Sequence, residues 1–150
     1  MKYVVMCILF AGSLFAQTDG AAKSSHLEPL KPAAFQLQLQ FSQPVSPEDN
    51  VDIIFPTQFS LSQVVMASSP DLDGGIAVAV NRDTIKLQRV NADSTWQENT
   101  PFRVNVALIM NAPDMSETFQ FKSSLRQDNQ IVDEFSFESA ITKLSNTKQE

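Results

Sequence analysis

The sequence predicts an all-β protein built as a two-sheet antiparallel sandwich of seven to eight strands. Three observations lead there. Apolar residues recur with period two in several short runs, of which Phe35-Gln36-Leu37-Gln38-Leu39-Gln40-Phe41 alternates without a fault. Clusters of Pro, Gly, Asn, Asp and Ser separate the runs at roughly ten-residue spacing. No stretch between them carries the apolar spacing of an amphipathic helix, so βαβ units are not expected.

The chain has 150 residues, enough for one domain with accessory segments. Its first part reads as an export signal. Lys2 precedes the apolar run from Tyr3 to Ala11, and small residues continue through Gly12 and Ser13 to Ala16, ahead of Gln17. A charge, a short apolar run and a small-residue cleavage site make a secretory signal peptide over 1–16. The run falls short of the roughly 20 residues that a spanning helix needs. The expected product is therefore secreted, extracellular or periplasmic, and does not span a membrane after cleavage. Residues 17–32, rich in Ala, Ser, Lys and Pro and lacking either periodicity, read as a flexible linker; 33–140 reads as the sandwich domain and 141–150 as a polar tail.

Taken in order, Phe35 to Phe41 is the first strand of that domain, and Pro44 and Pro47 end it. Val51-Asp52-Ile53-Ile54-Phe55 is the second, stopped by Pro56. Phe59 to Ala67 reads as a third, with the apolar phase slipping between Leu61 and Val64 as at a bulge. Ile76 to Val80 and Ile85 to Val90 flank a tight turn at Asn81-Arg82-Asp83-Thr84. Phe102 to Met110 is the expected central strand, with Phe102, Val104, Val106, Leu108 and Met110 on one apolar face. Phe119 to Leu125 and Ile131 to Phe137 form a last hairpin around Gln127-Asp128-Asn129-Gln130.

The passage from Phe35 through Pro44 to Val51-Asp52-Ile53-Ile54-Phe55-Pro56, and the run Phe102 to Met110 followed by Asn111-Ala112-Pro113 and a Phe-rich hairpin, resemble the immunoglobulin-like β-sandwich modules of exported cell-surface proteins. The resemblance spans about residues 33 to 138. It implies an immunoglobulin-like sandwich and transfers no functional residue.

Composition excludes several chemistries. The net charge is −6 and no basic run occurs, so nucleic acid is not an expected partner. The only Cys, Cys7, lies in the signal, and the only His, His26, lies in the linker. Cys or Ser–His nucleophilic catalysis and His/Cys metal sites are thereby disfavoured within the domain. Asp133 and Glu134 are neighbours in a strand and point to opposite faces, so they are a poor acid pair for glycoside hydrolysis. No enzyme activity is expected.

Three features remain as candidates. Asp71-Leu72-Asp73-Gly74-Gly75 has the acid, spacer, acid, glycine order that opens a calcium loop, although the twelfth position, a Glu in an EF-hand, is Arg82. Asp71 and Asp73 are thus the candidate metal ligands and calcium the one cofactor to consider; a Gly-enabled turn with acidic ends is the plainer alternative. Trp96, in the polar loop from Asn91 to Pro101, is the candidate ligand contact, for a glycan or a protein, and the alternative is a plug over one end of the sandwich. The Phe35 to Phe41 strand, free of Lys and internal Pro, is the expected open edge for self-association or for pairing with a partner protein. The function that follows is a non-catalytic adhesion or assembly module, with a glycan-binding or calcium-dependent adhesion module as the alternatives.

Overall fold

The computed structural model describes residues 20–145. The predicted signal peptide lies outside the described residues. All regular structure within them is strand: β1 (Gly20–Ser24), β2 (Pro32–Leu39), β3 (Asn50–Ile54), β4 (Ala67–Ser68), β5 (Gly75–Asn81), β6 (Thr84–Val90), β7 (Phe102–Met110), β8 (Thr118–Gln127), β9 (Gln130–Ala140) and β10 (Thr142–Lys143). The all-β expectation holds. The ten strands follow one hydrogen-bonded order, β10-β1-β2-β7-β4-β5-β6-β3-β8-β9, where seven or eight were expected. The order also curls toward closure. Ala22 N–H donates to Ser139 Oγ at 3.2 Å, linking β1 to β9 from opposite ends of the order.

Two tight hairpins follow turn chemistry. Arg82-Asp83 joins β5 to β6 with Arg82 at φ 56°, and Asp128-Asn129 joins β8 to β9 with φ 51° and 64°, the double left-handed pair of a type I′ turn. Alternation does the rest. Phe35, Leu37 and Leu39 on β2, Ile85 and Leu87 on β6, and Phe119 and Phe121 on β8 are buried. Phenylalanine edges tie the interior together: Phe59 meets Phe35 at 5.6 Å and Phe119 at 4.7 Å, and Phe55 meets Phe121 at 5.2 Å, each near T-shaped. Such pairs add about 0.5–1.5 kcal/mol each beyond burial alone.

Five expectations change. The linker expected over 17–32 contains β1, whose five residues pair with β2 from Gly20↔Leu39 to Ser24↔Phe35. Its buried side is Gly20, Ala22 and Ser24, a stripe too small to read as hydrophobic alternation. The loop after it is tied down as well: fully buried Asn111 donates Nδ2 to the carbonyls of His26 and Glu28, and His26 Nε2 lies 2.8 Å from Pro32 O. With β1 on one side and β7 on the other, β2 is interior, so the Phe35 to Phe41 strand is not the open edge. The polar tail from 141 starts with buried Ile141 and contributes β10, parallel to β1.

The third expected strand, Phe59 to Ala67, shrinks to β4. Its slipped phase marks turns, with Phe59 N–H bonded to Pro56 O and Val64 N–H to Leu61 O, so Phe59, Leu61 and Val64 are buried without strand spacing. In β7 the single apolar face also fails. Between Ala33↔Ile109 and Phe35↔Val106, β7 carries one residue more than β2, and Leu108 sits at φ 64°. This bulge flips the phase, sending Ile109 inward and Leu108 out to 45% exposure.

Candidate interaction surface

The acidic loop before β5 is held by arginines. Asp71 accepts from the Arg103 backbone N–H at 2.7 Å, from Nε at 3.0 Å and from Nη2 at 2.8 Å. Asp73 pairs with Arg89 Nη2 and accepts the backbone N–H groups of Asp93 at 2.9 Å and Ser94 at 3.2 Å. The chain bends through this loop, so the two carboxylates reach separate arginines, Asp71 to Arg103 on β7 and Asp73 to Arg89 on β6, with Leu72 buried between them. Gly74, at φ 75°, closes the loop where a Cβ would lie 2.5 Å from Val90 O. The hydrogen bonds from Arg103 hold the Asp71 carboxyl below its usual range, and those from Asp93 and Ser94, followed by the Arg89 charge, do the same for Asp73. Arg103 is raised by the same contact. This loop therefore works as a clamp that fastens the start of β5 to β7 and β6. Among the described residues no group of three or more His, Cys, Asp or Glu gathers at metal-binding distance.

Trp96 is half-buried. Its backbone forms a two-way bridge with Val45, at 2.8 and 2.9 Å, and its Nε1 donates to Thr100 O at 2.8 Å. Its ring meets Phe102 edge-on at 6.2 Å. One face of the indole is thus committed to the core and its polar atom to its own loop.

The outer face of β3, β6 and β8 is polar. Asp52, nearly buried, accepts from Arg126 Nε at 2.6 Å, while its Oδ1 has no partner. Lys122 pairs with Glu134 at 2.8 Å and holds that carboxyl below its usual range.

The open edge lies at β5. On one side β5 pairs with β6 along its whole length; on the other it meets β4 only at Ala67↔Ile76. The two-residue hairpin makes Asn81↔Thr84 a hydrogen-bonded pair, so Ala79 and Ala77 also bond to β6. The backbone N–H and C=O of Val78 and Val80 consequently face away from it. Beside them runs an open cleft of about 710 Å³ bordered by Phe59, Leu61, Val80 and Arg82. Ile76, Val78 and Val80 turn toward the core, Ala77 and Ala79 face solvent, and no residue from Gly74 to Asn81 is charged. The remaining edges differ. β9 carries Asp133, Glu134 and Glu138, with Asp133 capping Ser42 N–H at 2.7 Å, and β10 has two residues. In sequence Ile76-Ala77-Val78-Ala79-Val80 looks like an ordinary interior strand; the exposure of its edge follows from how little of β4 forms.

No protein-family model matches the chain, and no curated protein matches it. Solved structures that it is similar to include the N-terminal domain of the Streptococcus gordonii adhesin Sgo0707, with 8% identity, a TM-score of 0.48, and coverage of 83% of this chain and 33% of that one. Others are the collagen-binding domain from a Staphylococcus aureus adhesin, with 11% identity, TM-score 0.41, and 83% and 97% coverage, and self-complemented MyfA, the major subunit of Myf fimbriae from Yersinia enterocolitica, with 12% identity, TM-score 0.36, and 83% and 97% coverage. The chain spans about a third of the length of the first. None of these structures transfers a ligand or a residue role to this chain.

Proposed function

We propose that this chain is an exported, non-catalytic β module that acts by protein interaction, through strand addition at the free edge of β5. The observation that carries this reading is the pair of outward-facing backbone groups at Val78 and Val80, on a strand without charge, beside an open cleft to which Phe59 and Leu61 contribute. Such an edge offers main-chain hydrogen bonds to an extended partner and a pocket for its side chains. Export rests on the charge, apolar run and small-residue order of 1–16.

A non-catalytic role is supported by the commitments of the reactive side chains. Asp71 and Asp73 are spent on arginines, Glu134 on Lys122, and His26 on its own loop. No helix among the described residues is long and apolar enough to cross a membrane.

The test is crosslinking on the native exported protein, followed by affinity capture and mapping of the linked residues. Protein adducts at β5 and the 59–66 segment are expected. Adducts confined to other faces, or none at all, would remove strand addition as the mode of action.

A further inference from the structure

The partner that the β5 edge fits follows from its sequence and register. We infer that β5 pairs antiparallel with β5 of a second copy of this chain about a two-fold axis at Ala79, an inference that rests on the interaction reading above. With Ala79 opposite Ala79 of the other copy, Val78 stands opposite Val80 and Ala77 opposite Asn81. Val78 and Val80 are the two residues whose N–H and C=O face outward, so each Val78/Val80 couple exchanges two hydrogen bonds and the axis generates the second couple.

Side chains agree with this register. On the solvent face Ala79 meets Ala79, which leaves no bulk at the axis, with Ala77 beside Asn81 further out, and on the core face valine meets valine, extending the apolar layer. No charged side chain lies between Gly74 and Asn81, so no like-charge contact opposes the approach of two identical strands. The pairing ends where the monomer requires it to end, because Ile76 is already taken by Ala67 of β4. Phe59 and Leu61 border the cleft across from Val80, so a second strand laid beside β5 meets apolar side chains there. An isologous contact of this kind closes at two subunits instead of propagating.

Two substitutions separate the pairing from the fold. Val78→Pro removes an N–H that β6 does not use, a position where an edge strand tolerates proline. Ala79→Glu faces Lys86 across the β5–β6 pair within one copy, yet sets two carboxylates opposite each other at the axis. The measurement is sedimentation velocity of the full exported chain over a concentration series, with thermal melts of each variant. A concentration-dependent dimer is expected for the parent chain, and Ala79→Glu should weaken it by at least about tenfold without lowering the melting temperature. Val78→Pro should weaken the dimer as well, with a small loss of melting temperature because its side chain packs against the core. A parent chain that stays monomeric throughout, or a dimer that Ala79→Glu leaves unchanged, overturns self-pairing. Capture of a different protein at β5 by a monomeric parent would leave the interaction reading standing and remove only the second copy; a monomer that captures nothing removes both.

Discussion

Asp71 and Asp73 look equivalent in the sequence, and the structure makes them unequal. Replacing Asp73 by Ala strands the Arg89 guanidinium, whose side chain is 5% exposed and whose Nε already lacks a partner. That cation would keep only the carbonyls of Ser94 at 2.7 Å and Val45 at 3.2 Å. Breaking a fully buried pair costs about 3–5 kcal/mol, because one charge is left without its counterpart. The Asp73 side chain is 39% exposed, so water re-enters and the expected cost is about 2–3 kcal/mol. Asp71→Ala is milder. Arg103 is 47% exposed and recovers its hydration, leaving a cost of about 0.5–1 kcal/mol. Urea unfolding of the two variants measures the difference directly. Equal losses, or a larger loss for Asp71→Ala, would refute the buried-cation argument. A calcium loop predicts something else: a melting temperature raised by calcium and an increment that both variants abolish. The clamp predicts no calcium increment in the parent chain.

Other outcomes follow from the same contacts. Trp96→Ala should cost about 2–3 kcal/mol, below the figure for a fully buried aromatic, and Trp96→Phe only about 1 kcal/mol; a melting temperature unmoved by Trp96→Ala would mean that the ring is free for a ligand. Gly20→Val places side-chain atoms where a Cβ alone would lie 2.5 Å from the Phe137 ring, and should destabilise by about 1–3 kcal/mol with faster proteolysis near β1, whereas a linker would show neither effect. Acid should weaken the fold through the two clamped carboxylates. Their folded-state pKa values lie below 3.8, so their contribution is complete above that value and is lost as the pH falls through the lowered ones. The urea midpoint should therefore start to drop as the pH falls to about 4 and keep dropping below it, with a smaller drop in Asp71→Ala.

What the sequence made legible was the set of strands with large alternating side chains. β2, β6 and β8 bury Phe, Leu and Ile at every second position and announce themselves. β1 buries Gly20, Ala22 and Ser24, a pattern with period two and almost no hydrophobic amplitude, so it looked like a linker and left β2 looking like an edge. The apolar residues from Phe59 to Ala67 read as a strand because burial without regular spacing resembles a bulge. The Leu108 bulge is invisible to alternation, since Leu108 and Ile109 are equally apolar and only φ distinguishes their directions. The clamp depends on partners 16 and 32 residues away, Arg89 and Arg103, which local motif reading pairs with nothing. The β5 edge was hidden for the related reason that an edge is a property of missing neighbours.

The central claim is that Val78 and Val80 present an unpaired backbone edge that a second strand completes. Amide hydrogen exchange on the exported chain across a concentration series reads those groups individually. The account predicts that the Val78 and Val80 amides exchange fast in dilute solution, while Ala77 and Ala79, bonded to β6, stay protected. It predicts that the two valine amides become protected as concentration rises. Val78 and Val80 amides that are already protected in dilute solution, or whose exchange never responds to concentration, would contradict it.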